Sequence, residues 1–388
     1  MKTVQLFVLC ALIFGACSET KKESIISSAI KPEKAEFASQ RKISIECAGN
    51  PYFYGQTHVS VSQKDSLYAG IDIEGTTLFV YDLAKQELLL KYSPPSSGPE
   101  AFRLDLFFIN SKDSIFIFDK KKAELRLVDI KGKLKQTYSL AKVFDSLKNS
   151  GYSYYIEHQL DNRLVFRKGQ LLVPLYPETG VEKPEFYEKG YTALIDLERM
   201  SLKILGRYAQ SVKANADGYF PFADNVQILR FGEENFLVGF ANEHCLYELN
   251  PKQNTLSEYF CLRSNYLPKD FERLSGKEDF QERNNFSQTN PFYQSSLIGF
   301  GKIYRLVRHE QPLKNEKGEL NSFFATSWSV ISANQDGSDA KEALMPAKIY
   351  RISDVHLIGK DLFLISREND QNPENKEDFL ELEVIKLK

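Results

Sequence analysis

The residues with most chemical capacity in this 388-residue chain are five histidines and five cysteines, set among scattered carboxylates and many aromatic rings. Imidazole binds transition metals and exchanges protons near neutral pH, so His58, His158 and His356 come first. Each falls in a short alternating run of the kind that forms a β-strand. Were those runs to line one channel, the three rings could converge on a metal. Their places differ: His58 opens its run, while His158 and His356 sit midway or later, which favours ordinary polar packing. No metal or other cofactor is expected. Asp82, Asp129, Asp196 and Glu248 each end a run just before a turn, where a carboxylate commonly accepts backbone N–H groups. Asp72, Asp105 and Asp119 are scattered, and no two acids mark a hydrolytic pair. GxGxxG, P-loop, HExxH, GxSxG and CxxC motifs are all absent, so no catalytic residue is nominated.

Binding chemistry is better represented. Phe186, Tyr187, Tyr191, Tyr219, Phe220, Phe222, Tyr266, Phe286, Phe292 and Tyr293 gather in the loop-rich middle of the chain. Such rings stack on sugars or peptide side chains, or else pin long loops to the body beneath. Arg103, Arg305, Arg308 and His309 stand near run ends and could pair with an anion. The candidate binding face is therefore Arg103, Tyr219, Phe222, Tyr293, Arg308 and His309.

What must position these groups is a repeat. "TLFVYDL" (77–83), "ELRLVDI" (124–130), "YTALIDL" (191–197) and "HCLYELN" (244–250) are equivalent alternating runs, each followed by a tight turn and a second run. Two more runs precede each pair, giving four strands per unit. The third unit uses "YYIEHQL" and then "RLVFRKGQLLVPLY" as its first two strands. A fifth unit follows, and a sixth ends with the chain one strand short. The segment "KISIEC" (42–47) has no hairpin mate and would supply the missing outer strand. The expected fold is all-β: a six-bladed β-propeller over residues 42–388, closed by an N-terminal strand that joins the last blade. The inner strands should begin near 58, 104, 154, 225, 296 and 352.

Long connections are expected at 48–57, 94–103, 141–153, 177–190, 209–224, 263–295, 310–325 and 368–378. All join outer to inner strands of successive blades, or second to third strands within one. Both kinds emerge on one face of the disc, so that face is elaborated and the other trimmed; loops on a rigid scaffold are where binding residues concentrate. Short helices are expected in these loops, one over Val143, Phe144 and Leu147, another starting near Pro268 and running through Phe271 and Leu274. Cys245 and Cys261 flank "NPKQN" symmetrically and would face each other across that hairpin. A disulfide there would add about 3 kcal/mol, while the alternative is two small buried side chains.

Lys2, the apolar run "VQLFVLCALIF" and "FGAC" before Cys17 form an export signal over residues 1–16. The ending resembles the bacterial lipobox, which implies diacylation of Cys17 and anchoring to a membrane. Residues 17–41 are polar, charged and without period, so they read as a flexible tether setting the body off by roughly 25–30 Å. Fifty basic and fifty-two acidic residues leave a net charge of -2, which offers no footprint for nucleic acid.

The order of lipobox, closing strand and "SGPEAF" (97–102) between blades resembles an uncharacterised family of bacterial lipoproteins with six-bladed, NHL-like propeller bodies. Ala101 separates the acidic residue from Phe102, unlike the Gly-Pro-acidic-Phe element of that family. The single tryptophan, Trp328, sets the chain apart from WD repeats. The resemblance implies a membrane-tethered propeller of unknown ligand; the body is expected to be monomeric and sited in the cell envelope, as an outer-membrane lipoprotein facing the periplasm or the cell surface. It carries no catalytic residues. The expected function is a binding or assembly module presenting its long-loop face to an envelope protein, peptide or glycan. An exported metal-assisted hydrolase or lyase with its site in the channel is the alternative.

Overall fold

Alternating apolar and polar residues at this density fold as antiparallel meanders, and the chain makes six of them. The computed structural model describes residues 29–47, 57–61, 66–72, 74–153, 165–167, 169–323, 326–369, 371–376 and 378–388. From axis to rim, blade 1 is Thr57–Val61, Ser66–Ile71, Leu78–Asp82 and Glu87–Tyr92. Blade 2 is Leu106–Ser111, Ser114–Asp119, Glu124–Val128 and Leu134–Ser139. Blade 3 is Val165–Arg167, Gln170–Pro174, Thr192–Asp196 and Ser201–Leu205. Blade 4 is Val226–Phe231, Asn235–Phe240, Cys245–Asn250 and Thr255–Cys261. Blade 5 is Phe292–Gly299, Lys302–Arg308, Trp328–Asn334 and Lys341–Met345. Blade 6 is Val355–Gly359, Leu362–Ser366, Phe379–Leu387 and, from the other end of the chain, Phe37–Glu46.

The innermost strands of blades 1 and 2, 4 and 5, 5 and 6, and 6 and 1 lie beside one another, as a closed ring of six requires. The middle strands are buried on both faces because each blade packs between two others; the third strand of blade 1 is buried at every position. The core therefore sits between blades. Leu106, Phe116 and Phe118 of blade 2 meet Leu171, Val173 and Ile195 of blade 3, and Tyr304 and Val330 of blade 5 meet Phe363 and Ile385 of blade 6. Each such side chain contributes about 1.5–3 kcal/mol on burial.

Closure is by strand pairing. Phe37–Glu46 runs antiparallel to Phe379–Leu387, with Ile43 opposite Leu382 and Ile45 opposite Leu380. Both isoleucines are buried against Tyr68, Phe79 and Tyr81 of blade 1. This strand starts five residues earlier than the expected 42–47, and the body begins earlier still. Ile30 bridges to Leu262 at the rim of blade 4, and Glu33–Ala35 pairs in parallel with the outer strand of blade 5. Of residues 30–41, expected as tether, 30–36 are instead a strap across blades 4 and 5 and 37–41 open the outer strand of blade 6.

Two further expectations are corrected. "RLVFRKGQLLVPLY" is not one strand: Val165–Arg167 is the inner strand of blade 3 and turns at Gly169, φ +76°, into Gln170–Pro174. "YYIEHQL" lies outside the described residues. The helix near Pro268 is displaced to α2, introduced here with α1: α1 is Ala141–Lys148 as expected, and α2 is Phe280–Thr289. Around 268–274 the chain is held by a bridge between Leu274 and Tyr219. Among the described residues no helix is long and apolar enough to cross a membrane.

Candidate functional site

In each meander the first-to-second and third-to-fourth strand connections share a face. Among the described residues none there exceeds 335–340. The longest connections on the other face are 140–164, of which 140–153 are described, 175–191, 206–225, 262–291 and 309–327, running from the end of blade 2 through blade 5. Among the described residues elaboration is thus confined to one face and is greatest from the end of blade 2 through blade 5, the links at 93–105 and 367–378 being shorter.

Most of the aromatic residues hold these loops down. Phe186, Tyr187, Tyr191, Tyr208, Phe220 and Phe240 form one buried cluster above blades 3 and 4. Tyr219 is buried beside them, and Phe222 stacks on Phe292 with centroids 4.2 Å apart. The Arg273 guanidinium lies 3.9 Å from the Phe220 ring centroid and donates to Ser211 O, Lys213 O and Gly218 O, tying 206–225 to 262–291.

The arginines expected to meet an anion are also spent on the loops. Arg305 is fully buried, 3.2 Å over the Tyr293 ring, and donates to Phe240 O, Glu243 O and His244 O. Arg308, fully buried too, donates to Ser287 O, Gln288 O and Asn290 O, which closes the C-terminus of α2. Burial lowers both guanidinium pKa values to about 10, so both remain charged. Tyr293 is buried with its hydroxyl 2.9 Å from Leu262 O. Its oxygen also meets Nδ1 of His244, whose Nε2 faces Pro268 O and Lys269 O at 3.1 Å. His309 joins Ser329 Oγ at 2.9 Å, and that hydroxyl donates to the buried Glu342. Desolvation pushes the pKa of His244 and of His309 down to about 4, so both rings are neutral near pH 7. Tyr293, Arg308 and His309 are therefore fixtures beneath the face.

What the face offers outward is different. α2 has no buried residue and is secured at its ends, by Arg308 at one and by a reciprocal Asp279–Glu282 capping box at the other. Phe280 at its start is 84% exposed, Tyr266 39% and Leu320 60%. Tyr266 is stiffened by stacking on His309, 4.3 Å between centroids. Arg103, elsewhere on this face, is largely exposed and bonded to Asp105 at 3.0 Å. Of these, α2 and Leu320 were not anticipated; the capping box D-x-x-E at 279–282 was the available signal.

The two described histidines near the axis meet different partners. His58 packs edge-on against Phe107 and Phe108 of blade 2. The Nε2 of His356 meets Asp354 Oδ1 of its own blade at 2.7 Å and Thr57 Oγ1 of blade 1 at 3.0 Å. His158 lies outside the described residues, as does Cys17. Asp354 also accepts from Thr57 at 2.6 Å and Tyr68 at 2.7 Å. Burial acts to raise its pKa, but the bonds from His356, Thr57 and Tyr68 outweigh it and hold the value low. Carboxylate and threonine share one imidazole nitrogen here, an arrangement that latches blade 6 to blade 1.

The carboxylates at strand ends serve turns. Asp82, Asp129 and Asp196 accept backbone N–H groups two and three or four residues ahead. In blade 4 that task falls to Asn250, and Glu248 instead accepts from Asn235. Cys245 and Cys261 are paired across the hairpin and joined by a disulfide, while Cys47 is free and buried. Among the described residues the one group of three ligand atoms close enough for a metal is Cys245, Glu258 and Cys261.

Known structures share this architecture. A member of the DUF4221 family from Bacteroides vulgatus matches over 92% of this chain and 99% of its own, with 15% identity and a TM-score of 0.71. A Bacteroides fragilis protein provisionally classed as exported matches over 93% and 99%, with 9% identity and a TM-score of 0.55. No curated protein matches the sequence. The family model described as Domain of unknown function (DUF4221) matches residues 51–304, well over half of the chain, and the protein belongs to that family.

Proposed function

We propose that this protein is an exported, lipid-anchored binding or assembly module whose long-loop face over blades 3–5 engages an envelope protein, peptide or glycan. The observation that carries the reading is the concentration of the longest loops on one face, from the end of blade 2 through blade 5, with Phe280, Tyr266 and Leu320 exposed on it. Rigid loops presenting apolar side chains are a common form of binding surface. The lipobox-like "FGAC" and the export class of the Bacteroides fragilis relative support the envelope setting.

Geometry then limits where the partner can be. The body starts at Ile30, so the chain from a lipidated Cys17 spans at most about 45 Å when fully extended. It enters at the rim between blades 4 and 5, beside the elaborated loops. The combined Tyr266→Ala, Phe280→Ser and Leu320→Ser variant should keep wild-type circular dichroism and unfolding temperature but lose its co-purifying partner. Undiminished partner recovery would count against the reading. Cys17→Ser should move the protein from the membrane fraction to the soluble one; retention in the membrane would remove the anchor.

A further inference from the structure

The loop-face end of blade 4's outer hairpin holds three potential ligands that the proposed binding role does not use. Cys245 opens the third strand, Cys261 closes the fourth, and the two stand directly opposite. Register then breaks: Leu246 pairs with Phe260, but Tyr247 pairs with Glu258, leaving Tyr259 as an extra residue. Side chains alternate along a strand, so without this bulge Glu258 would point away from Cys261. With it, Glu258 shares the face of both cysteines; re-aiming a side chain is what bulges do. One carboxylate oxygen and both sulfurs lie within 4.8 Å of one another. The cysteines are buried and Glu258 is exposed, so the group opens to solvent on one side.

We propose that Cys245, Cys261 and Glu258 form a redox-gated metal site: closed while the cysteines are a disulfide, and taking a zinc-like dication once a dithiol has reduced them. The dithiol gives up two electrons and two protons and leaves as its own disulfide. The bond between the Cys245 and Cys261 sulfurs breaks, and each sulfur takes one proton. The metal then forms two bonds to sulfur and one to a Glu258 oxygen, and both thiol protons pass to solvent. Two thiolates and one carboxylate are a donor set suited to zinc, with a fourth position left for water or an incoming ligand. Ligand atoms around tetrahedral zinc stand about 3.3–3.8 Å apart, inside the 4.8 Å bound that contains these three. Glu243 is nearby, accepting from Cys245 N and Ser211, and its charge raises the Glu258 pKa after burial does. A bound dication offsets that repulsion.

The test is zinc titration of the purified protein against a chromophoric chelator, once oxidised and once reduced by a phosphine and handled without oxygen. Cobalt serves as a spectroscopic stand-in. The reduced protein should take up one equivalent of zinc and show a thiolate-to-cobalt charge-transfer band, and the oxidised protein should do neither. Glu258→Gln leaves the disulfide and hence the fold intact. It should weaken binding by the reduced form at least as much as losing an outer-sphere partner does, about ten- to a hundred-fold. Equal uptake by oxidised and reduced protein, no uptake by either, or an unaltered affinity in Glu258→Gln would each overturn the proposal.

Discussion

Replacing Asp354 by alanine removes the acceptor at the centre of the latch between blades 6 and 1. Its carboxylate takes hydrogen bonds from Thr57 and Tyr68 of blade 1 and from His356 of its own blade, at 2.6, 2.7 and 2.7 Å. Tyr68 and His356 are almost wholly buried, so water does not readily replace the lost acceptor. A hydrogen bond to a charged group contributes about 1.5–3 kcal/mol. Three of them exceed what is recovered by no longer burying the carboxylate, and removing one partner of a buried pair typically destabilises by about 3–5 kcal/mol. Unfolding entropy near 2.1 cal/mol/K per residue comes to about 0.75 kcal/mol/K over the body, so a loss of 4 kcal/mol lowers the melting temperature by about 5 °C. Asp354→Asn keeps the shape and one acceptor oxygen and should fall by about half as much. Asp113→Ala, at an exposed turn of blade 2, is the control and should change little. Calorimetry or near-ultraviolet circular dichroism reads the shift. A melting temperature for Asp354→Ala within about 1 °C of wild type would refute the reasoning that the inner latch helps to close the ring.

Other consequences follow from the buried groups under the loop face. His244 and His309 have pKa values near 4 when folded, against about 6.5 in the unfolded chain, so the unfolded state binds more protons between those limits. Stability present above pH 6.5 should fall as pH drops towards 4, by up to about 3 kcal/mol for each ring. Urea unfolding at pH 7 and pH 4.5 measures it, and His244→Gln should flatten the dependence. Arg308→Ala strips the C-terminal carbonyls of α2 of their donor; hydrogen exchange at 280–290 should rise well above that of the blade strands, with the rest of the disc protected. Unchanged exchange there would mean that α2 is held by something else.

The blades were legible because they bury apolar side chains on both faces at strand spacing, and Ile43 and Ile45 marked the closing strand by the same signal. The strap at 30–36 carried no such mark. Its attachment is largely through the backbone, Ile30 N to Cys261 O and Glu33 N to Ala340 O, with Ile30 and Ala35 packing singly against the blades, while Glu33 and Lys34 point to solvent. α2 was misplaced for a related reason: a helix with no buried face has no apolar period, and only its capping box could reveal it. Blade 3 was misread although the Lys168-Gly169 turn signal was present, because an apolar run on each side read as one strand. Arg305 and Arg308 were read as anion ligands. Their actual acceptors are carbonyls brought close only by tertiary folding, which no spacing in the sequence encodes. The aromatic residues divided the same way, with most pinning loops and Tyr266 remaining outward.

The most direct test of the binding face is a photoreactive residue placed at Phe280 or Tyr266 and, separately, at Asp113 on the trimmed face, followed by crosslinking in intact cells and mass spectrometry. Positions 280 and 266 should give discrete adducts with one partner and position 113 should give none. Adducts of equal yield on both faces, or only from position 113, would contradict the account.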